Sequence, residues 1–514
     1  MLKHVKASLV DLLGDAYVRS VCTARAALTG EDAKTLYAMA AEPVEFYPEA
    51  FARRQEELMD HIGEQLCEPA PDAVTGITGA PTDSFGAAQH GTAAPVNGFG
   101  CFRLGEDGRL YFAGKSEHYH IPLGHCFPGY GLVETAKKLG ITNATHNNTR
   151  GYVTRLLEQK LIAAANGVEP GTEAFKRVLA SREGGVLNRV INLETGSLAC
   201  EAAIKMMLCR FYAIDGKPAP YQDRIPVFLV MGDNLGGIGA GYHGTTLVAQ
   251  TLRGLWPEYR KKACEAGLYR VEPVAINDIA SFRGAMERWN TPPYKTAGFL
   301  HELIMMNYSA IRQDPGVLRA AYELCRQTDT PVLCDEIQSS AWYGSFYLFR
   351  RYGLKPDFVS IGKGFPGGLY AASRVLVSGA YDNLNQFGAL VTNGQEELAS
   401  LAYLITMRFL SENADAIDEA SGYYHQGLLA LAGRYPALVA GVEGDGMMSA
   451  LRFHRGEDAV AFAKRMSGEH CIDISVQTYK AACPPVALGK LPLITSVTMM
   501  DKLLAHMDAC LKEA

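Results

Sequence analysis

Long apolar runs are missing from this sequence. Hydrophobic residues make up 48% of the 514 residues, yet no stretch approaches the roughly 18 consecutive apolar residues that a transmembrane helix needs. Residues 1–6 and the mixed polar stretch after them also lack the apolar core of a signal peptide. We therefore expect a cytoplasmic protein without a membrane partner.

Basic runs are missing as well. The formal net charge is −6 at pH 7, and charged residues make up 20% of the chain. A protein that binds nucleic acid concentrates lysine and arginine on one face or in one segment, because it must neutralise phosphates. This sequence has no such concentration, so we expect no nucleic-acid partner.

Paired cysteines are the third absence. The 12 cysteines are scattered through the chain without CxxC pairs and without the spacing of a zinc site. Several of them lie in apolar segments, where a reduced thiol behaves as a small hydrophobic side chain. The cysteine pattern therefore predicts reduced thiols and no metal site.

What the sequence does contain is an alternation of helical and strand patterns between residues 150 and 395. Several strand patterns are short, continuous apolar runs, such as 225–231 and 331–334, which are typical of strands buried on both faces. Such alternation predicts an α/β fold with a mostly parallel sheet between helices, whose ligands bind at strand ends. A strand-like run at 446–453 and an amphipathic helix near 499–511 predict a further small α+β domain.

The length of the chain exceeds what one hydrophobic core organises, so we expect several domains. Helical patterns cover 7–26, 30–41 and 48–65, and the passage 69–99, rich in Gly, Pro, Thr and Ala, is expected to be a loop. We interpret four segments: an N-terminal helical extension and loop (1–95), the N-terminal part of the small domain with the active-site mouth (96–150), a large domain (151–395), and a C-terminal small domain (396–514).

Two residues at predicted strand ends suggest a cofactor. Asp335 follows the apolar run 331–334, and Lys363 follows the run 357–361 in a glycine-rich turn. Pyridoxal 5′-phosphate (PLP) needs this pair: the lysine amine forms a Schiff base with its aldehyde, and the carboxylate keeps its pyridine nitrogen protonated so that the ring accepts electrons. Lys363 and Asp335 are therefore our candidate catalytic residues.

Several further motifs accompany this pair in a fixed order. They are Gly-His-Cys-Phe-Pro at 124–128, Gly-Ser-Leu-Ala-Cys-Glu-Ala-Ala-Ile-Lys at 196–205, Tyr-His-Gly at 242–244, Asp-Glu-Ile-Gln at 335–338, the segment 349–357, Gly-Lys-Gly at 362–364 and Thr-Asn-Gly at 392–394. With these motifs the chain, from about residue 102 to its C-terminus, resembles the class III aminotransferases. These are fold-type I PLP enzymes that include the ornithine and 4-aminobutyrate aminotransferases, and the extension 1–95 is longer than their usual lead-in.

The motif at Gly196 and Ser197 predicts the phosphate site of PLP. It precedes a helix that we expect to begin near Ala199, so backbone N–H groups, the Ser197 hydroxyl and the positive helix end converge on one anion. The resemblance implies that the Tyr242 ring stacks on the cofactor ring and that His243 forms a structural hydrogen bond.

The resemblance also implies three further roles around the cofactor. Gln338 approaches the phenolic oxygen of PLP, and Glu302 is the retained first glutamate of a family motif. Thr392 donates to the phosphate from the neighbouring subunit, which predicts a homodimer with shared active sites.

The chain departs from the family where the substrate binds. Asn307 replaces a second glutamate, Tyr343 lies where a Gly-Arg-Thr-Gly turn is common, and Lys490 replaces an arginine that often holds a substrate carboxylate. Leu198 also replaces a glutamate of the phosphate-site motif. Lys115 and Arg150, in segments that the family uses near its active-site mouth, are alternative sources of positive charge for one substrate carboxylate, or surface charges.

These observations predict a PLP-dependent transaminase that moves an amino group between an amino acid or ω-amine and a 2-oxo acid or aldehyde. In this reading Lys363 moves the proton between the substrate carbon and the cofactor. The alternative within the same family is an amino-acid racemase or epimerase. A non-catalytic binding protein with a PLP fold is the third hypothesis.

Overall fold

The computed structural model describes residues 2–71, 79–88, 94–232, 238–477 and 483–513. Its centre is a seven-stranded sheet in the order β6-β14-β13-β12-β9-β7-β8. The strands are β6 (Leu187–Leu193), β7 (Ile225–Gly232), β8 (Arg270–Ala275), β9 (Tyr294–Glu302), β12 (Val332–Asp335), β13 (Phe358–Ile361) and β14 (Ser373–Ser378). β14 is antiparallel to both of its neighbours, and the other pairings are parallel. The expectation of an α/β fold with a mostly parallel sheet is confirmed.

Helices flank this sheet on the connections between its strands, as right-handed crossovers require. They are α8 (Tyr152–Asn166), α9 (Glu173–Ala180), α10 (Gly196–Leu208), α11 (Leu247–Leu252), α12 (Pro257–Glu265), α13 (Ile279–Trp289), α14 (Pro315–Gln327) and α15 (Leu348–Arg351). A two-stranded ribbon, β10 (Ile304–Met305) with β11 (Ile311–Arg312), follows β9.

The register of three neighbouring strands aligns their polar ends. Every residue of β12 and β13 is buried, because their apolar side chains face helices on both sides. Asp335 pairs with Glu302 of β9 on one side and with Ser360 of β13 on the other. Three polar residues thus end adjacent strands at one edge of the sheet, where ligands of such folds bind.

The C-terminal part is a second, smaller unit with an antiparallel sheet in the order β15-β16-β18-β17. Its elements are α16 (Glu397–Glu412), α17 (Ala414–Arg434), β15 (Val439–Asp445), β16 (Met448–Phe453), α18 (Gly456–Gly468), β17 (Ser475–Gln477), β18 (Val486–Leu488) and α19 (Val497–Lys512). The Glu397 carboxylate of α16 accepts hydrogen bonds from the N–H groups of Val153 and Thr154. It therefore caps the N-terminus of α8 and ties the two units together.

The N-terminal part contains β1 (Lys6–Ala7), α1 (Leu9–Leu13), α2 (Asp15–Thr29), α3 (Ala33–Ala41), β2 (Val44–Glu45), α4 (Glu49–Leu58), α5 (Asp83–Ala88), β3 (Pro95–Phe99), β4 (Phe102–Gly105), β5 (Leu110–Phe112) and α7 (Gly131–Lys138), with a distorted turn at Ser116–Tyr119 that we label α6. β3, β4 and β5 form one sheet. The Tyr47 hydroxyl donates to the Ile494 carbonyl at 3.2 Å, so the N-terminal part packs against the C-terminal part.

Two sequence predictions for the N-terminal part were wrong. The single helix expected over 7–26 is broken at Gly14, whose φ of 85° ends α1 and starts α2. The passage 69–99 was expected to be a loop, but it contains α5 and β3. Its segments 72–78 and 89–93 lie outside the described residues.

Among the described residues, no helix has both the length and the apolar character needed to span a bilayer.

Candidate active site

A cavity of about 710 Å³ opens at the carboxyl edge of the large sheet. Glu302, Asp335 and Lys363 meet there, because β9, β12 and β13 are neighbours and each of these residues ends a strand or follows it closely. Candidate residues that line the cavity are Gly196, Ser197, Tyr242, His243, Glu302, Asn307, Asp335, Gln338 and Lys363.

The Asp335 carboxylate is fixed by four donors. Its Oδ2 accepts from Nδ1 of His243 at 3.0 Å and from Sγ of Cys200 at 3.3 Å. Its Oδ1 accepts from Oγ of Ser360 at 2.8 Å and from the Ile337 N–H at 3.1 Å. Burial alone would raise the pKa of Asp335, but the hydrogen bond and charge of His243 and the N–H of Ile337 lower it below its ordinary value. Asp335 is therefore a buried, oriented carboxylate that stays ionised.

The ligand atoms of Cys200, His243 and Asp335 lie within 4.8 Å of one another. The hydrogen bonds that His243 and Cys200 donate to Asp335 account for this closeness without an ion. Nδ1 of His243 donates to Asp335, and its other ring nitrogen, Nε2, is buried with no protein partner among the described residues.

Lys363 is held in a left-handed backbone conformation, with a φ of 42°, directly after β13. Burial lowers the pKa of its amine to about 8, although the carboxylates of Glu302 and Asp335 act in the opposite direction. Such a lowered pKa supplies neutral, nucleophilic amine near physiological pH. Burial and the neighbouring Asp335 raise the pKa of Glu302 well above its ordinary value.

The N-terminus of α10 forms one end of the cavity. The helix begins at Gly196, three residues earlier than the predicted Ala199, because the Thr195 side chain accepts a hydrogen bond from the Leu198 N–H and caps it. The first N–H groups of a helix have no partner within it and point at anions. Ser197 Oγ accepts from the Thr245 N–H at 3.0 Å and shares a second hydrogen bond with Oγ1 of Thr245 at 3.2 Å, in which either hydroxyl can donate.

Gly244 allows the Tyr-His-Gly turn to contact this helix end. Its φ is 119°, and a Cβ atom built on it would lie 2.6 Å from Cα of Ser197. Only glycine tolerates that approach and that backbone conformation. The turn thereby presents Tyr242 to the cavity, while His243 reaches Asp335.

Gln338 follows the strand end of Asp335 and also faces the cavity. Its Oε1 is buried and has no hydrogen-bond partner among the described residues. An unpaired buried amide oxygen in a cavity calls for a ligand donor. Thr392 is exposed and does not line the cavity of its own chain, within the part of the chain that the structure describes.

Only one of the residues that the sequence suggested for substrate binding lines the cavity. Asn307 lines the cavity. Arg150 donates two hydrogen bonds to the Glu158 carboxylate, at 2.8 and 3.1 Å, and it does not line the cavity. Lys115, Tyr343 and Lys490 are not among the residues that line it, and Nζ of Lys490 is bonded to the Gln338 carbonyl at 2.6 Å.

Four side chains of the site were missed by sequence reasoning: His118, His120, Cys200 and Arg253. The His-Tyr-His motif at 118–120 beside Lys115 was a signal that could have identified the two histidines. Arg253 stacks on the Tyr242 ring, with 4.6 Å between its Cζ atom and the ring centroid. Burial and then the charges of Lys363 and Lys115 lower the pKa of His118 to about 4, so His118 is neutral at physiological pH.

The arrangement fits PLP on the chemistry of its polar groups. A buried carboxylate faces one end of the cavity, a helix N-terminus with the Ser197 hydroxyl forms another, and a buried lysine with a pKa of about 8 follows one of the strand ends. The unpaired Gln338 Oε1 adds an acceptor for an N–H or O–H group of a ligand. Aromatic and polar walls of this kind enclose planar cofactors.

Comparison with known proteins agrees with this geometry. The family described as Aminotransferase class-III matches residues 86–472. Ornithine aminotransferase of Bordetella pertussis is 26% identical over 420 residues, which cover 80% of this chain and 91% of that enzyme. Putrescine aminotransferase of Pectobacterium atrosepticum is 24% identical over 347 residues, covering 66% of this chain and 69% of that enzyme.

The fold has a solved counterpart in the ornithine aminotransferase of Toxoplasma gondii. The TM-score is 0.65 at 18% sequence identity, over 86% of this chain and 97% of that one. The family match spans most of the chain and contains both Asp335 and Lys363. The chain therefore belongs to the class III aminotransferases, the PLP-dependent transaminases of fold type I.

Proposed function

We propose that this transaminase takes its amino group from an ω-amine or from an amino acid with a neutral side chain, and delivers it to a 2-oxo acid or an aldehyde. The observation that carries the assignment of the catalytic centre is the meeting of Lys363 with the four-donor carboxylate of Asp335 in one cavity. The names of the relatives that act on ornithine and putrescine support a primary amine at the end of a chain as donor.

Bound PLP supplies a protonated pyridine ring that accepts electrons from the substrate carbon. Asp335 keeps the proton on the ring nitrogen, because its carboxylate stays ionised and is held in place by His243 and Ser360. Gly196 and Ser197 bind the phosphate through backbone N–H groups and a hydroxyl. Tyr242 forms the flat wall against the ring, and Gln338 binds the phenolic oxygen.

Lys363 carries the proton of the reaction. With PLP and substrate bound, its Nζ would be the base that takes a proton from the substrate carbon and the acid that gives it back on the cofactor side. A pKa of about 8 suits this task, because the amine gives up and takes back a proton near physiological pH.

The substrate preference follows from the charges on the cavity wall. Asn307 is neutral, and neither Lys490 nor Tyr343 lines the cavity, so none of these three positions supplies a cation to the cavity wall. Arg253 is a guanidinium among the described lining residues, and it is placed for one carboxylate. A dicarboxylate such as glutamate would leave its second carboxylate without a matching cation.

Steady-state comparison of donors tests this preference. We expect kcat/KM for ornithine, putrescine or a neutral amino acid to exceed that for glutamate by at least about tenfold, which corresponds to the loss of one charge-assisted contact. A value for glutamate tenfold above all other donors would refute the proposal. Measuring each donor with and without an oxo-acid acceptor separates transamination from racemisation, since a racemase needs no acceptor.

A homodimer with shared sites is the assembly we propose. Thr392 is exposed in its own chain, Leu369 lines the cavity yet is 46% exposed, and Phe387 is 79% exposed. Exposed apolar side chains such as these, one of them in the cavity wall, are typical of a surface covered by a partner. We also infer a cytoplasmic enzyme, since all twelve cysteines are free thiols.

A further inference from the structure

Lys490 is a fully buried lysine, with 0% of its surface exposed. It follows β18 in the small domain, and its Nζ donates a hydrogen bond to the Gln338 carbonyl of the large domain at 2.6 Å. Gln338 is the residue whose side chain faces the cavity with an unpaired Oε1. The amine therefore fixes the backbone from which a cofactor-facing side chain projects.

Two aromatic rings enclose the rest of this amine. Its Nζ lies 4.1 Å from the centroid of the Trp342 ring and 5.4 Å from that of Tyr119. Nζ of the catalytic Lys363 also lies 5.4 Å from the Tyr119 centroid. One ring thus contacts both lysines, which makes Lys490 a direct neighbour of the catalytic centre.

The backbone of Lys490 also forms hydrogen bonds with the segment that carries Tyr119. Its N–H donates to the Gly114 carbonyl at 2.9 Å, and its carbonyl accepts from the Ser116 hydroxyl at 2.6 Å. Ser116 and Tyr119 have φ values of 48° and 64°, which non-glycine residues adopt only when the surroundings impose them. Lys490 is one of the groups that impose this strained turn.

The chemistry of the position excludes a substrate anchor. A carboxylate anchor needs a charged group with donors directed at the ligand. Nζ of Lys490 has a backbone carbonyl and two ring faces as neighbours, and burial, followed by the charge of Lys363, lowers its pKa well below the ordinary value, which favours a neutral amine. A neutral amine already bonded to the protein attracts a carboxylate poorly.

We propose that Lys490 is a positioning residue, which holds Gln338 and Tyr119 around Lys363 and does not bind the substrate carboxylate. The inference rests on the proposed PLP site. Lysine suits the role because its unbranched stem passes between the two rings and ends in N–H groups that reach one carbonyl. Methionine at this position keeps an unbranched side chain and removes the N–H donor. Glutamine keeps an N–H donor on a shorter side chain.

Lys295 offers a matched control. It is also a buried lysine, 8% exposed, and its Nζ donates to the Thr328 carbonyl at 2.6 Å. Burial also lowers the pKa of Lys295, to about 8. It lies at the start of β9, whereas the active site lies beyond the end of that strand, and it does not line the cavity. Lys295→Met therefore removes a comparable buried amine without touching Gln338 or Tyr119.

The experiment compares Lys490→Met, Lys490→Gln and Lys295→Met by thermal unfolding, by the PLP dissociation constant and by the pH dependence of PLP uptake by the apoenzyme. Titratable groups facing Lys363 are Glu302, Asp335, His118, His120, Tyr119 and Lys490. Burial is what lowers the pKa of Lys363, so entry of water beside it, once the Lys490 amine no longer holds the surrounding groups, raises that pKa. We expect Lys490→Met to weaken PLP binding at least tenfold and to shift the uptake midpoint upward by at least half a pH unit.

The control separates this effect from a general loss of stability. Lys295→Met is expected to lower the melting temperature while leaving the uptake midpoint unchanged. In Lys490→Gln the shift should be smaller, because a donor remains near the Gln338 carbonyl. If Lys490→Met does not fold, Lys490→Gln carries the comparison.

A comparison of KM values for donors with and without a carboxylate tests whether Lys490 anchors the substrate. The ratio of KM for an amino-acid donor to KM for a diamine should stay within twofold of wild type in the Lys490 variants. A selective tenfold rise in KM for donors with a carboxylate, at unchanged PLP affinity and uptake midpoint, would overturn the proposal and identify an anchor. Unchanged behaviour in every measurement would overturn it too. Failure of the proposed function would show differently, as a wild-type protein that takes up no PLP.

Discussion

At the scale of single residues, the site is organised around the charge of Asp335. Its carboxylate receives hydrogen bonds from a histidine, a thiol, a hydroxyl and a backbone N–H, so that both oxygens are directed and burial does not neutralise the group. Charge-assisted hydrogen bonds of this kind are about twice as strong as neutral ones. The arrangement explains how a fully buried carboxyl keeps its pKa below the ordinary value.

Asp335→Asn removes that charge and keeps the shape. The amide cannot hold a proton on the pyridine nitrogen, so we expect kcat to fall by at least about a hundredfold, the usual cost of losing a group that stabilises developing charge. Steady-state kinetics with a thermal-unfolding control makes the measurement. Ser360→Ala, which deletes one donor and leaves the carboxylate, should cost much less. An Asp335→Asn enzyme within a few-fold of wild type would contradict the role.

Sequence reasoning identified the residues that end strands but not those that reach the site from elsewhere. Asp335, Lys363 and Gln338 follow apolar runs, and the edge of a parallel sheet brings such residues together. Cys200 faces Asp335 from α10, and Arg253 enters from the end of α11. Which side of a helix or loop faces the cavity depends on how these elements pack, and no local pattern encodes it. Lys490 shows the same limit: the sequence places it where the family often has a carboxylate-binding arginine, but its amine donates to the Gln338 carbonyl.

At the scale of elements, the contact between the Tyr-His-Gly turn and the N-terminus of α10 shapes the phosphate end. Gly244 is the point of closest approach, and its φ of 119° suits glycine alone. Gly284, in the middle of α13, has open space where Gly244 has a close contact: no atom lies within 4 Å of a Cβ atom built on Gly284.

Gly244→Ala should therefore damage PLP binding, whereas Gly284→Ala should not. The added methyl group would lie 2.8 Å from Cβ and Oγ of Ser197, so the turn and the phosphate donors must move apart. We expect PLP affinity to fall at least about tenfold and stability to fall by about 1–3 kcal/mol. Gly284→Ala should raise stability by up to about 1 kcal/mol, because alanine favours helices. Equal effects of the two changes on PLP affinity would contradict the account.

Strands were predicted better than helix ends. The runs 225–231, 331–334 and 357–361 became β7, β12 and β13 within a residue or so, because continuous apolar segments must be buried on both faces. The helical pattern 7–26 gave no sign of the break at Gly14, where a left-handed glycine separates two short helices. α10 begins at Gly196 rather than near Ala199 because the Thr195 side chain caps it.

At the scale of the whole molecule, the proposed homodimer would place a second copy against exposed residues of this chain. Thr392 is exposed, and the apolar side chains of Leu369 and Phe387 are uncovered. The α/β class of the large sheet and the family were predictable, because both follow from motifs at strand ends. The assembly and the four-segment division of the chain stay predictions.

Mixed dimers test the shared site. If Thr392 serves the opposite subunit, a dimer of one Thr392→Ala chain and one Lys363→Ala chain has one site with both changes and one with neither. At limiting PLP, an equal mixture should then recover about a quarter of wild-type activity, since half of the dimers carry one intact site. No recovery, with subunit exchange verified by differently tagged chains, would place Thr392 in the site of its own chain.

The most direct test of the central claim is to map the lysine that binds PLP. The apoenzyme is incubated with PLP at a series of pH values and reduced with borohydride, which fixes the cofactor covalently to its lysine, and the modified peptide is identified by mass spectrometry. The account predicts a label on Lys363, absent in Lys363→Ala, and an uptake rate that rises with pH, is half-maximal near pH 8 and levels off above it, since burial lowers the pKa of this amine to about 8. A label on Lys490 or another lysine, or equal labelling of Lys363→Ala, would contradict it.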